Sequence, residues 1–324
     1  MATVISRREA SILLGCSLAA LGVAEAKAAE ALTLLHVGVI PIYSVAQHYA
    51  ADRQGYFAAE GIAVTSQPVQ GGVIGIPGLV SGSFDVLYSN AISVLTALER
   101  GIDLRIIAEG TPIPAKPPDA DALFKRKGED IKSGKDLEGK VIGINTRFTA
   151  QWLVMQGWVK KTGGDLNKIT YREVPLPSML DALKNKQVDV ALLLDPFMSI
   201  AFGDPNYELL GWPSSVVLPN LPSSLWIVSG TFADTKPELV RGYLRAYLKG
   251  VEWVNANLGN QAYLDLVANY TKTDPKQLAK MYTAGQLTEI NVNAIKGLIS
   301  VMQEYDLLKT NVDIDSKIFR TNAS

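Results

Sequence analysis

From about residue 32 onward, short apolar runs alternate with stretches whose apolar residues recur every three or four positions. The runs read as buried strands and the stretches as amphipathic helices. A strand over 32–40 leads through Pro41-Ile42-Tyr43-Ser44 into a helix over 45–56, for which Ser44 is the expected N-cap. Gly61 closes that helix, and Ile62-Ala63-Val64 opens the next strand. A turn at Gly71-Gly72, a short helix ended by Gly82, a strand over 84–88, a helix over 92–100 and a strand over 104–108 follow.

The same order returns about a hundred residues later. Val37-Gly38-Val39-Ile40 leads to Phe84-Asp85-Val86, and Val141-Ile142-Gly143-Ile144 leads to Val188-Asp189-Val190. Alternating strands and helices predict a mostly parallel sheet flanked by helices. Two copies predict two α/β lobes, with a small molecule held between them at the carboxyl ends of the strands. Asp85 and Asp189 occupy matching places, which predicts a strand-entry role, hydrogen-bonded to turn amides.

Pro112, Pro114, Pro117 and Pro118 break regular structure, so 109–122 reads as a connection. Crossing strands over 122–125 and 224–229 are the expected hinge. Lobe one then combines 32–122 with 230–324, and lobe two is 123–229. Thr235-Lys236-Pro237-Glu238 has capping-box spacing and opens a helix whose apolar stripe runs from Leu239 to Val251. Two further helices are expected over 275–284 and 292–308, packing back on lobe one.

Ahead of residue 32 the character changes. Arg7-Arg8, an apolar run over 12–24, and small residues at Ala24, Ala26 and Ala28 read as an export signal over 1–29. The arginine pair resembles the twin-arginine signal, and the apolar run is too short to span a bilayer. A periplasmic location is therefore expected. Leu13-Leu14-Gly15-Cys16 resembles a lipobox, which leaves lipid anchoring at Cys16 as an alternative to simple cleavage. Cleavage leaves a mature chain without cysteine, excluding disulfides and thiolate chemistry.

The 324 residues carry 31 Lys+Arg against 32 Asp+Glu, a net charge of −1 that offers nothing to a phosphate backbone. Nucleic acid is excluded as a partner on that ground. His36 and His48 are the only histidines, and neither has a metal-ligand or nucleophile–base companion at useful spacing. No catalytic residue, metal or cofactor is expected, and His48 is expected to be a hydrogen-bonded, partly buried residue.

Ligand contacts are expected from the loops after the strands: Tyr43, Ser44, Gly71, Gly72, Ser89 and Asn90 in lobe one, and Thr146, Arg147, Phe148, Thr149, Asp195 and Phe197 in lobe two. Trp226 on a crossing strand joins them. Gly71-Gly72 permits close backbone approach, and Ser89-Asn90 offers polar groups or a helix cap. Residues 146–149 precede a helix over 150–161, so free amides and the positive dipole end point at the cleft. Arg147 has the planar fork for a carboxylate or sulfonate if it faces inward, and otherwise pairs with an acid or water. Aromatic neighbours suit an organic anion with an apolar or ring portion.

Several stretches resemble a known class: 51–62 with Gln54-Gly55-Tyr56-Phe57, 131–143 with Asp136-Leu137-Glu138-Gly139-Lys140, 183–190, and 232–240 with Thr235-Lys236-Pro237-Glu238. They are similar to bacterial substrate-binding proteins of the nitrate/sulfonate/taurine/bicarbonate transport class, which share a domain with thiamine-pyrimidine synthases. The resemblance implies a two-lobe type II periplasmic binding protein, monomeric, that closes on a solute and delivers it to an ABC permease in the inner membrane. Together with Arg147 it points to a small organic anion, an alkyl or aryl sulfonate or an aromatic carboxylate. The alternatives are a neutral thiamine-precursor pyrimidine and a pyrimidine synthase-like enzyme. Those synthases depend on a histidine and a cysteine-rich motif, and no cysteine-rich stretch exists here.

Overall fold

The computed structural model describes residues 31–320 apart from Ala279. The expected export signal over 1–29, Cys16 included, lies outside the described residues.

The first lobe begins β1 (Thr33–Val39), α1 (Ala46–Arg53), α2 (Tyr56–Ala59), β2 (Ile62–Pro68), α3 (Gly72–Val80), β3 (Val86–Asn90), α4 (Ala91–Glu99), β4 (Leu104–Glu109). The second holds β5 (Asp121–Arg126), β6 (Val141–Ile144), α5 (Ala150–Lys161), β7 (Thr170–Glu173), α6 (Met179–Lys184), β8 (Val190–Leu194), α7 (Phe197–Gly203), β9 (Tyr207–Gly211) and α8 (Pro213–Val217). The chain then returns through β10 (Ser224–Ser229), α9 (Gly230–Thr235), α10 (Pro237–Asn257), α11 (Gln261–Thr271) and α12 (Val292–Glu304).

The two sheets have the same plan. One runs β2-β1-β3-β10-β4 and the other β7-β6-β8-β5-β9. In each, four strands run in one direction, and a strand arriving from the other half of the chain inserts antiparallel between the third and the fourth. The repeat extends to single hydrogen bonds. His36 N–H donates to Asp85 Oδ2 at 2.8 Å, and Val141 N–H donates to Asp189 Oδ2 at 2.8 Å. Each aspartate is thus a strand-entry clamp, on a neighbouring strand amide rather than a turn amide. Gly38 and Gly143 also match: a Cβ at either would sit 2.7 Å from Leu87 Cδ1 or Met179 Sδ, so both let a side chain lie flat on the sheet.

β10 belongs to the first sheet, pairing with both β3 and β4, and β5 belongs wholly to the second. The assignment of 224–229 to lobe two is therefore corrected, and the crossings lie just outside the two strands. They are 110–120 and 218–223, tied side by side by Ile113 N–H to Leu221 O (2.9 Å), Asn220 N–H to Ile113 O (3.0 Å) and a Pro112–Pro222 bridge.

Other local expectations shift as well. Ser44 sits inside a 3-10 turn and α1 starts at Ala46 with no side-chain cap. Thr235 ends α9 and donates to Thr231 O, so α10 takes its start from Pro237 alone. The helix expected over 275–284 is one turn at Pro275–Leu278, and α11, capped by Asn260 on Tyr263 N–H, stands before it. One apolar cluster joins Leu95 on α4, Leu153 on α5, and Leu298 and Met302 on α12 across the lobe boundary.

Candidate functional site between the lobes

The carboxyl ends of the parallel strands meet at one small cavity, partly open to solvent. Lobe one supplies Ile40, Ile42, Tyr43 and Ser44 after β1, with Tyr88 and Asn90 at the end of β3. Lobe two supplies Asp121 at the start of β5, Asn145, Thr149, Ala150 and Gln151 around the start of α5, and Leu176 and Leu194. The crossings close one side with Ile113, Ala120 and Ser223.

Most of the wall is apolar, so its few polar atoms decide what it can hold. Asn145 N–H donates to Gln151 Oε1 at 3.0 Å, and Asn145 Nδ2 reaches Gln70 O on the opposite lobe at 3.4 Å. Those bonds leave Asn145 Oδ1 and Gln151 Nε2 buried with no partner in the protein. Asp121 Oδ2 accepts from Ser214 Oγ at 2.7 Å, while Oδ1 is buried and unpartnered. Unmet buried acceptors and donors cost free energy that a ligand can recover.

No lysine, arginine or histidine lines this cavity. Its ionisable acid, Asp121, is fully buried, and burial together with the nearby Asp119 holds its carboxyl well above the usual carboxylate range. Asp119 is itself raised by burial, although Ala120 N–H (2.7 Å) and Ser215 N–H donate to it.

Of the expected contact residues, Tyr43, Ser44, Asn90 and Thr149 line the cavity. Asn90 also caps α4, accepting from Ser93 N–H at 2.9 Å. Gly71, Gly72, Ser89 and Thr146 lie beside it without lining it. A Cβ on Gly72 would fall 1.8 Å from Ser89 Oγ, so that glycine serves the packing of α3 on β3. Phe197 lines an adjoining pocket.

Four residues sit elsewhere. Arg147 does not enter the cleft: its guanidinium donates to Tyr171 O at 2.8 Å, its backbone N–H donates to Glu173 Oε1 at 3.1 Å, and its side chain is 47% exposed. The acids and carbonyls of its own lobe are nearer than the cavity. Phe148 is 61% exposed, packing on Trp152. Asp195 is fully buried, with Oδ1 accepting from Ser199 N–H (2.9 Å) and Oγ (2.6 Å), and Oδ2 accepting from Tyr282 N–H. Trp226 is buried mid-strand among the rings of His48, Tyr88 and Tyr247.

His48 is a buried core residue. Its ring nitrogens meet Tyr243 Oη (3.0 Å) and Ser66 Oγ (2.8 Å), and burial lowers its pKa to about 3. Among the described residues no cluster of acids, histidines and cysteines is arranged to hold a metal ion, and no helix is long and apolar enough to cross a membrane.

The family model described as NMT1/THI5 like matches residues 43–257, a span that includes the second sheet, all of the first except β1, and the cavity lining apart from Ile40 and Ile42. The chain belongs to the NMT1/THI5-like family. A riboflavin-binding protein, RibY of Chloroflexus aurantiacus, is 26% identical over 233 residues, and this NMT1/THI5-like chain spans only 62% of that protein's length. Among solved structures, the periplasmic aliphatic sulphonate binding protein SsuA of Escherichia coli has a TM-score of 0.71 at 15% identity, covering 89% of this chain and 97% of that one. The alkanesulfonate-binding SsuA of Xanthomonas axonopodis pv. citri, bound to MOPS, gives 0.73 at 18% identity with 89% and 98% covered. The periplasmic nitrate-binding protein NrtA of Synechocystis PCC 6803 gives 0.73 at 12% identity, with 89% and 86% covered. The fold of this family member is thus the two-lobe, type II periplasmic-binding-protein fold that the resemblance implied.

Proposed function

We propose that this chain is the exported, monomeric solute-binding subunit of an ABC importer, closing on a small, neutral or cationic nitrogen-bearing organic molecule and presenting it to a membrane permease. The binding role is supported by the family, by the fold it shares with the sulfonate- and nitrate-binding proteins, and by the cavity between the lobes. A catalytic role is disfavoured by His48, whose two nitrogens are engaged away from the cavity.

The choice of ligand rests on one observation. Three residues of the lining, Asp121, Asn145 and Gln151, carry buried unpartnered polar atoms (Oδ1, Oδ1 and Nε2), and no basic side chain lines the cavity. Two acceptors beside one donor complement the edge of an aminopyrimidine or an amide. An anion finds no cation to pair with there, and Asp121, held toward its neutral form in the free chain, gains its charge only beside a cationic solute. The organic-anion reading loses its anchor with Arg147 outside the cleft, but one feature still favours it. Thr149 makes no side-chain cap on α5, so first-turn amides at the cavity wall remain open to an oxyanion.

Thermal shift and calorimetry of the mature chain, with Asp121→Asn alongside, decide between these readings. The panel holds 4-aminopyrimidine, benzamidine, benzamide, alkyl sulfonates and benzoate. A solute at a hundred times its dissociation constant adds about 2.7 kcal/mol of stability. Binding of a neutral or cationic member is expected, with a cation losing about 10- to 100-fold in Asp121→Asn. Stabilisation only by sulfonates or benzoate, undiminished in Asp121→Asn, sinks the reading in favour of the anion.

A further inference from the structure

Beside this cavity lies a second, more open chamber, and the two share Ile40 and Leu176 in their walls. Both linings are mostly apolar, and across that pair the wall turns to proline. Pro41 and Pro68 come from lobe one, Pro175 and Pro177 from lobe two, and Phe197 closes the lobe-two side. A proline has no backbone N–H to donate and a ring that fixes its φ, so four of the wall positions are rigid and offer no donor. Val69 uses its N–H on Val39 O at 2.8 Å, and the Gln70 carbonyl already accepts from Asn145 Nδ2. The recess is therefore a largely apolar slot, built from both lobes, that adjoins the hydrogen-bonding cavity at Ile40 and Leu176.

We infer that this proline-walled chamber is a second subsite that holds an apolar substituent of the same solute, so that the natural ligand is bipartite: a hydrogen-bonding head beside Asp121 and Asn145, and an alkyl or aryl tail between the prolines. The occupant is set by continuity, because a group bound in the inner cavity and extended past Ile40 and Leu176 meets the prolines. The inference rests on the solute-binding reading proposed above, and it makes the chamber a determinant of specificity. A chamber walled by both lobes also fills only on closure, so the tail contributes to holding the lobes together.

Calorimetry with two homologous series tests it. One series is 4-aminopyrimidine with hydrogen, propyl or benzyl at C5, and the other is methane-, propane- and hexanesulfonate. Each series is run on the intact mature chain, on Val69→Trp, which fills the chamber from a half-buried edge position, and on Phe197→Ala, which enlarges it. The expected result is an affinity that rises about fourfold per buried methylene in the series whose head binds. Val69→Trp is expected to abolish that gain while leaving the unsubstituted head within about threefold of its original affinity. Phe197→Ala is expected to shift the preference toward the bulkier tail. Equal affinity for short and long members, or a tail gain that persists in Val69→Trp, overturns the second subsite and leaves the head reading intact. A tail gain confined to the sulfonates supports the chamber while overturning the proposed head. Failure of every member to bind overturns both.

Discussion

Burying a carboxyl group without a cation leaves the folded chain favouring its neutral form, and two residues at the mouth of the crossings show this. Asp121 is one and Glu109, at the end of β4, is the other. Glu109 is 2% exposed and accepts from Asn291 N–H at 2.7 Å, yet desolvation raises its pKa to about 7. A carboxyl whose folded pKa is raised lends its full stability below the unfolded value near 4.5 and loses it as pH rises through about 7. Glu109→Gln keeps an acceptor for Asn291 and cannot ionise. Its melting temperature relative to the parent is expected to climb across pH 4.5 to 7 and to stand about 5 °C above it at pH 8. Melting curves at pH 4.5, 6 and 8 check this, and a constant offset between the two proteins sinks it. Such residues were hard to read from sequence. Asp119-Ala120-Asp121 precedes the apolar run Ala122-Leu123-Phe124, where acids ordinarily mark a solvent boundary. Arg147 erred the other way: a guanidinium ahead of a helix suggests an anion site, but carbonyl and carboxylate groups of β7 lie closer.

Among elements, the repeat was the most legible feature, because a parallel sheet needs each strand apolar and each crossover helical. The matched aspartates give it an energetic test. Asp85 clamps the His36 amide, and Asp189 clamps the Val141 amide while also standing 3.5 Å from Arg126. Losing the acceptor strands a partly buried amide, so Asp85→Ala is expected to cost about 1–2 kcal/mol and Asp189→Ala more, since Arg126 loses a partner too. Urea unfolding of both singles and the double measures this. A larger loss in Asp85→Ala than in Asp189→Ala contradicts the assignment. The C-terminal third was less legible, for a physical reason. Pro275 can start a helix, but beyond Leu278 the chain gives its amides to tertiary partners: Tyr282 N–H to Asp195 and Gln286 N–H to Asn255 Oδ1 at 2.8 Å. Local pattern cannot announce hydrogen bonds to residues far along the chain. α11 was missed because its stripe of Tyr263, Leu266 and Val267 spans barely two turns.

For the whole molecule, closure is written in bonds that cross the cleft. Asn145 Nδ2 reaches Gln70 O, Tyr43 N–H donates to Asp195 O at 3.2 Å, and Asp195 Oδ2 accepts from Tyr282 N–H, whose ring packs edge-on against Tyr43 at 5.7 Å. Asp195 thus takes part in two of the three ties, and Tyr43 connects them to the cavity wall. The side-chain tie belongs to a carboxylate, so it is stronger than the neutral bonds beside it. Asp195→Ala removes that tie and spares the backbone one, shifting the free protein toward the open form. Because apparent affinity falls with the fraction of closure-competent molecules, binding is expected to weaken about tenfold. X-ray scattering without solute is expected to give a larger radius of gyration than the parent, and saturating solute should restore the parent value. Ser199→Ala separates closure from local stability: it deletes a bond to Asp195 Oδ1 made within lobe two, and should leave the radius unchanged. Equal radii and equal affinities for Asp195→Ala and the parent would show that the lobes are held by the apolar seam of α4, α5 and α12 instead.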